Sequence, residues 1–111
     1  MGMGKFAGTR FNSGDYLKFL FQYSFCSTST TIVSGALAER TYLDTYLIYS
    51  VLITGFIYPI ASGWAWGGGW LFSLGYHDFS GSGIVHILGG VGGLCGTIIL
   101  GPRLGMYGKK V

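Results

Sequence analysis

Phe79-Ser80-Gly81-Ser82-Gly83-Ile84-Val85-His86-Ile87-Leu88-Gly89-Gly90-Val91-Gly92-Gly93-Leu94-Cys95-Gly96-Thr97-Ile98-Ile99-Leu100 contains no Lys, Arg, Asp or Glu, and its single imidazole, His86, sits about two turns from its start. A run of this length and polarity matches the roughly 20 apolar residues that a helix needs to cross about 30 Å of hydrocarbon. It does not alternate with a period of two, so it reads as a helix and not as a barrel strand. Just upstream lie Trp64-Ala65-Trp66-Gly67-Gly68-Gly69-Trp70 and His77-Asp78, which put three indoles, a glycine-rich joint and a carboxylate at the mouth of this helix. Ionisable groups at membrane depth are costly and usually functional, so the question of function centres on this passage.

Two more apolar runs precede it, Tyr16 to Ala38 and Tyr42 to Ala61, giving expected transmembrane spans over 16–38, 42–61 and 79–100 of an all-α, polytopic membrane protein. Composition agrees: of 111 residues only 10% are charged and 50% are hydrophobic, against about 25% charged in a typical soluble domain. The net charge of +3 is spread over Lys5, Arg10, Lys18, Arg40, Arg103, Lys109 and Lys110 without forming a stripe, which argues against a nucleic-acid partner. Met1 to Asp15 lacks the apolar core of a cleavable signal peptide. The first span is expected to act as its own insertion signal.

The joints fit three crossings. Glu39-Arg40-Thr41 makes a short polar turn, so the first two helices should be antiparallel neighbours. Pro59 lies near the end of the second span, where a missing N–H is tolerated. Gly101-Pro102-Arg103 stops the third span and puts a cation near the negative end of the helix dipole. The loop from Gly63 to His77 has no Lys or Arg, whereas Arg40, Arg103, Lys109 and Lys110 fall on the other side. The positive-inside rule makes that loop extracellular and the carboxyl terminus cytoplasmic, although Lys5, Arg10 and Lys18 weigh the other way.

Each candidate residue has a structural reading beside its functional one. His86 shares a helical face with Gly89, Gly90 and Gly93, and two readings stand side by side. The glycines either let a neighbouring helix pack closely, with His86 bonding across to it, or they leave a narrow lumen lined by the imidazole. Asp78 reads first as a helix N-cap, a role compatible with drawing a cation to an entrance. Trp64, Trp66 and Trp70 suit an interfacial aromatic belt, and one indole face suits a cation. Phe25 reads as a core aromatic before a pore constriction, and His77 as a solvated loop residue. Cys26 and Cys95 lack paired spacing, and the two histidines lack metal-ligand spacing. No GxSxG, HExxH or phosphate-loop sequence is present, so neither an enzyme, a metal site nor a cofactor is expected.

Over Tyr16 to Arg103 the chain resembles the ammonium transporter family, which also holds the Rhesus glycoproteins. The resemblance rests on Thr31-Ile32-Val33-Ser34-Gly35-Ala36-Leu37-Ala38-Glu39-Arg40, Phe56-Ile57-Tyr58-Pro59, Trp64 to Trp70, and Asp78 to His86 continuing through Gly89-Gly90 to Gly101-Pro102-Arg103. It implies the third to fifth helices of an eleven-helix, inverted-repeat subunit that assembles as a homotrimer in the plasma membrane, with ammonium or ammonia as substrate. On this implication Trp66 binds ammonium at the outer vestibule and Phe25 is one of two gating phenylalanines. Asp78 shapes the entrance, and His86 is the first of two pore histidines. Trp66 favours the ammonium transporter branch over the Rhesus gas channels. Gly63 stands where eukaryotic relatives often carry histidine, and the second half of the pore is missing, so the chain is expected to be a fragment or truncated product. A non-transporting interaction or sensing subunit is the competing expectation.

Overall fold

The computed structural model describes residues 11–107, which form helices and turns with no strand among them. Helix α1 (Ser13–Leu37) starts at a reciprocal cap: Asn12 Oδ1 accepts from the Asp15 N–H at 2.9 Å, and Asp15 Oδ2 accepts from the Asn12 N–H at 3.0 Å. The turn at Glu39-Arg40-Thr41 leads into α2 (Leu43–Leu52), a π-helical turn over Ile53–Ile57, and α3 (Tyr58–Ala65). The π turn has a local cause. Pro59 has no N–H to give the Gly55 carbonyl and its ring crowds that carbonyl, and just before it the Tyr58 N–H reaches back to Ile53 O instead. A one-turn helix α4 (Trp70–Ser73) follows, and a second π-helical turn, Ser82–Ile87, feeds α5 (Leu88–Leu100).

Helix α1 packs chiefly along α5. A Cβ added at Gly89 would lie 2.8 Å from Ser29 O and 2.9 Å from Ile32 Cβ, one at Gly93 would lie 3.0 Å from Ala36 Cβ, and one at Gly96 would lie 2.7 Å from Leu37 Cδ2. Residue numbers rise together along this seam, so α1 and α5 run parallel. The glycines therefore bring two backbones together, the small-residue packing by which helices associate in lipid. Against α2 and α3 the order is reversed: Cys26 Sγ contacts Thr54 O and Gln22 pairs with Tyr58. The expected antiparallel relation of the first two helical runs is found.

Two helical stretches, Leu43–Ser73 and Ser82–Leu100, are long and apolar enough to cross a membrane. Helix α1 has the length, with 25 residues, but carries Ser24, Ser27, Thr28, Ser29, Thr30, Thr31 and Ser34 among its apolar side chains. Several of these hydroxyls bond to carbonyls of their own helix, Ser24 to Leu20 O, Thr28 to Ser24 O, Thr30 to Cys26 O and Thr31 to Ser27 O, at 2.8–3.1 Å. The exterior is rich in large apolar residues, among them Leu47, Val51, Phe56, Ile98 and Ile99. The buried side chains gather in two clusters, Val33 with Leu37 and Ile53, and Tyr58 with Ala65, Ile84 and Val85. The second cluster carries the candidate site.

Candidate functional site

Residues 66–88 fold back over the end of α3 so that the head of α5 meets the middle of α1. The glycine run makes the fold-back possible. A Cβ at Gly67 or Gly69 would fall 2.8 or 2.7 Å from Gly63 O, and Gly68 takes a positive φ of 77°. Trp64 and Trp70 then face each other at 5.7 Å between ring centroids, both partly exposed, as an aromatic belt would be.

Trp66 points the other way, into the second cluster. Its indole Nε1–H donates to Asp78 O at 2.9 Å, and its ring meets Phe25 edge-on at 5.9 Å and 69°. Phe25 also packs on Phe21 at 4.6 Å. One face of this aromatic pair rests on Gly81, where an added Cβ would lie 3.3 Å from Phe25 Cε1.

Asp78 supplies the acceptors of a helix cap, but from three residues before the N-cap position, which is Gly81 and not Asp78 as its sequence position suggests. Its Oδ1 accepts from the Gly81 N–H at 2.9 Å, and its Oδ2 accepts from Gly83 N–H at 3.0 Å and Ile84 N–H at 2.8 Å. These are orphan donors of a helix start, and a carboxylate there also complements the dipole. Gly81, at φ 82°, turns the chain into the π-helical segment, and Gly83 sits against the Tyr76 hydroxyl with no room for a Cβ.

His86 bonds within its own turn. Its Nδ1 lies 3.1 Å from Gly81 O, a carbonyl that also accepts the backbone N–H groups of Val85 and His86 at 2.9 and 3.1 Å. A carbonyl only accepts, so Nδ1 is the donor in this contact, and Nε2 is the ring nitrogen it leaves unengaged. The ring is exposed, beside Ile87 and Gly90, whereas Gly89 and Gly93 are buried against α1. The ring therefore does not share the packed face of those two glycines. Of the two readings of the glycines, close packing holds for Gly89 and Gly93, while His86 makes no bond across to α1.

Phe25, Trp66, Asp78 and His86 are thus joined through Gly81: the first packs on it, the third caps it, the fourth bonds to its carbonyl, and Trp66 ties Phe25 to Asp78. Sequence reasoning did not single out two further members of the cluster. Tyr58, 3% exposed, donates its hydroxyl to Gln22 Oε1 at 2.9 Å, one turn from Phe25. A lone glutamine amid Leu20, Phe21, Tyr23 and Phe25 was the available signal, since an amide in such a run needs a partner. Beside this pair a groove of about 710 Å³ runs between α1 and the second helical run, lined among others by Ser27, Thr31, Ser50, Thr54 and Trp66.

The family model described as Ammonium Transporter Family matches residues 2–111. The chain is 53% identical over 93 residues to a relative from Synechocystis sp., covering 83% of this chain and 21% of that one. It is 48% identical over 105 residues to ammonium transporter 1 member 1 of Solanum lycopersicum (86% of this chain, 22% of that one). It is also 48% identical over 106 residues to ammonium transporter 1 member 1 of Arabidopsis thaliana, with coverage of 86% and 21%. The chain therefore spans about a fifth of the length of the curated relatives it matches. No solved structure matches it. A match over nearly the whole chain, together with the motifs around Trp66, Asp78 and His86, means that the chain belongs to the ammonium transporter family, a family of membrane proteins.

Proposed function

We propose that this chain is the part of an ammonium transporter that receives ammonium at the outer surface and passes it into the pore. The observation that carries the reading is the joined set Trp66, Phe25, Asp78, Gly81 and His86 at the head of an apolar helix, in a chain of this family. Trp66 offers a ring face for the cation, worth on the order of 0.5–2 kcal/mol according to how far the ion is desolvated. Phe25 closes against that ring and excludes water, which raises the cost of keeping the charge. Water at the outer mouth takes the proton, and neutral ammonia passes His86, whose Nε2 is the ring nitrogen not engaged by the Gly81 carbonyl and can hydrogen-bond with it.

The membrane arrangement follows the same reading. Helix α1 crosses as a third span, with the hydroxyls of Ser24, Thr28, Thr30 and Thr31 satisfied by their own helix, as Ser and Thr are in lipid. The three spans are the third to fifth of an eleven-helix, inverted-repeat subunit that forms a homotrimer in the plasma membrane, with the Gly63 to His77 loop outside. Further helices of that subunit then cover the exposed apolar face and complete the pore wall.

The test is uptake by cells lacking their own ammonium transporters, which express either a full-length transporter bearing this segment or these 111 residues alone. Uptake by the full-length protein that weakens on Trp66→Leu supports the reading. Uptake unchanged by Trp66→Leu across a range of ammonium concentrations points to a Rhesus-type gas path. Co-purification of the short chain with full-length subunits, without uptake of its own, identifies an interaction subunit.

A further inference from the structure

The seam between α1 and α5 contains its own alternative. Ile32 fits the notch at Gly89, Val33 the notch at Gly92 and Leu37 that at Gly96. Gly89 and Gly93 are four residues apart, as are Gly92 and Gly96. Slipping α5 by one turn would bring Ile32 to Gly93 and Val33 to Gly96, into notches that already exist, but would set Leu37 against Leu100, where there is none. Such a slip moves one helix along the other by about 6 Å, and one-turn ratchets between packed elements are a known kind of transition. The notches from Gly89 to Gly96 therefore accept Ile32 and Val33 in either register, and the choice falls to the ends of the seam.

At the end where α1 and α5 both terminate, Arg40 distinguishes the two registers together with Leu37. Arg40 donates from Nε to Ala36 O, in the last turn of α1, at 3.2 Å, and from Nη1 to Gly101 O, the cap of α5. Because the helices run parallel, two negative dipole ends meet here, and one guanidinium spans both with the fork that Arg alone provides. Arg103 pairs with Glu39 beside it, but both side chains are more than half exposed, so this second tie is the weaker one. In the slipped register Gly101 O would move a turn away from Arg40.

We propose that Arg40 is a positioning residue that holds the axial register of α1 against α5 at the end opposite the Phe25–Gly81 contact, and so supports the level of Phe25 relative to His86. Its bearing on transport rests on the function proposed above; its bearing on register does not. Register is read by spin labels at Gly35→Cys on α1 and Ile98→Cys on α5, in a full-length transporter whose Cys26 and Cys95 are replaced by alanine. Arg40→Met is expected to move the label distance by several ångströms or split it into two populations, up to the limit of about 6 Å set by one turn. Maximal uptake per transporter at the cell surface falls about tenfold, and KM for ammonium rises less than in Trp66→Leu because the Trp66 end keeps its own tie to Asp78. Arg40→Lys, which keeps the charge without the fork, recovers part of the rate.

An unchanged distance in Arg40→Met overturns the proposal, as does a fall in uptake matched by loss of transporter from the surface. If Arg40→Met does not reach the membrane, Arg40→Lys decides by the same distance measurement, and an unshifted, single distance there overturns it. A shifted distance in a protein whose unmodified form takes up no ammonium keeps the register role and removes the transport reading.

Discussion

Trp66 Nε1–H donates to the main-chain oxygen of Asp78 at 2.9 Å, so the indole that faces Phe25 is held by the residue that caps α5. Trp66→Phe keeps an aromatic face but leaves Asp78 O without that donor, a loss of about 1–3 kcal/mol for a part-buried acceptor. The expected outcome is a lower melting temperature together with a raised KM for ammonium. Trp66→Leu raises KM further because it also removes the ring. Thermal unfolding and concentration-dependent uptake on the same preparation separate the two effects.

Asp78 accepts three backbone N–H groups at once, from Gly81, Gly83 and Ile84. Asp78→Asn keeps one acceptor oxygen and turns an NH₂ donor towards N–H donors, so it should destabilise the head of α5 by roughly 2–5 kcal/mol, more than the loss of an ordinary cap. Faster amide exchange at residues 81–86, with α1 unaffected, is the expected signature. Protection equal to that of the unmodified protein at these amides would exclude the capping account.

Gly89 and Gly90 are adjacent but face opposite surroundings. An alanine Cβ at 89 meets Ser29 O at 2.8 Å, whereas at 90 nothing lies within 4 Å. Gly89→Ala is expected to cost about 1–3 kcal/mol by forcing α1 and α5 apart. Gly90→Ala is expected to be neutral or to stabilise by about 0.5–1 kcal/mol through helix propensity. Melting curves of the two variants in one detergent decide it, and equal shifts in both would contradict the packing described for the seam.

Tyr58 is almost fully buried and its hydroxyl has one partner, Gln22 Oε1. Tyr58→Phe leaves that amide oxygen unpaired beside the aromatic cluster and should cost about 1–3 kcal/mol. Gln22→Leu on the Tyr58→Phe background replaces both polar groups with apolar ones and should return much of that loss. Thermal unfolding of the single and double variants tests the coupling, and additive losses would refute it.

The polarity of the chain made much of this legible in advance. The helical runs, the polar turn at Glu39-Arg40-Thr41, the stop at Gly101-Pro102 and the cap at Asp78 are local features. Hydrophobic length, a missing N–H or a short acceptor side chain decides each of them within a few residues. The same local chemistry marked Phe25, Trp66, Asp78 and His86 as candidates, and the motifs around them marked the family.

What joins those residues was decided only by the tertiary structure. The partner of the Trp66 N–H is a backbone oxygen twelve residues on, a group present at every position and therefore without a sequence signature. The surroundings of His86 depend on the fold as well: its ring bonds to Gly81 O and stays exposed, whereas Gly89 and Gly93, which simple helical spacing groups with it, are buried against α1. The Arg40 fork needs the ends of α1 and α5 side by side, and these are 61 residues apart along the chain between Arg40 and Gly101. Sequence determines which groups are present and what each can do locally. Only the packing of parallel backbones against one another determines which of them meet.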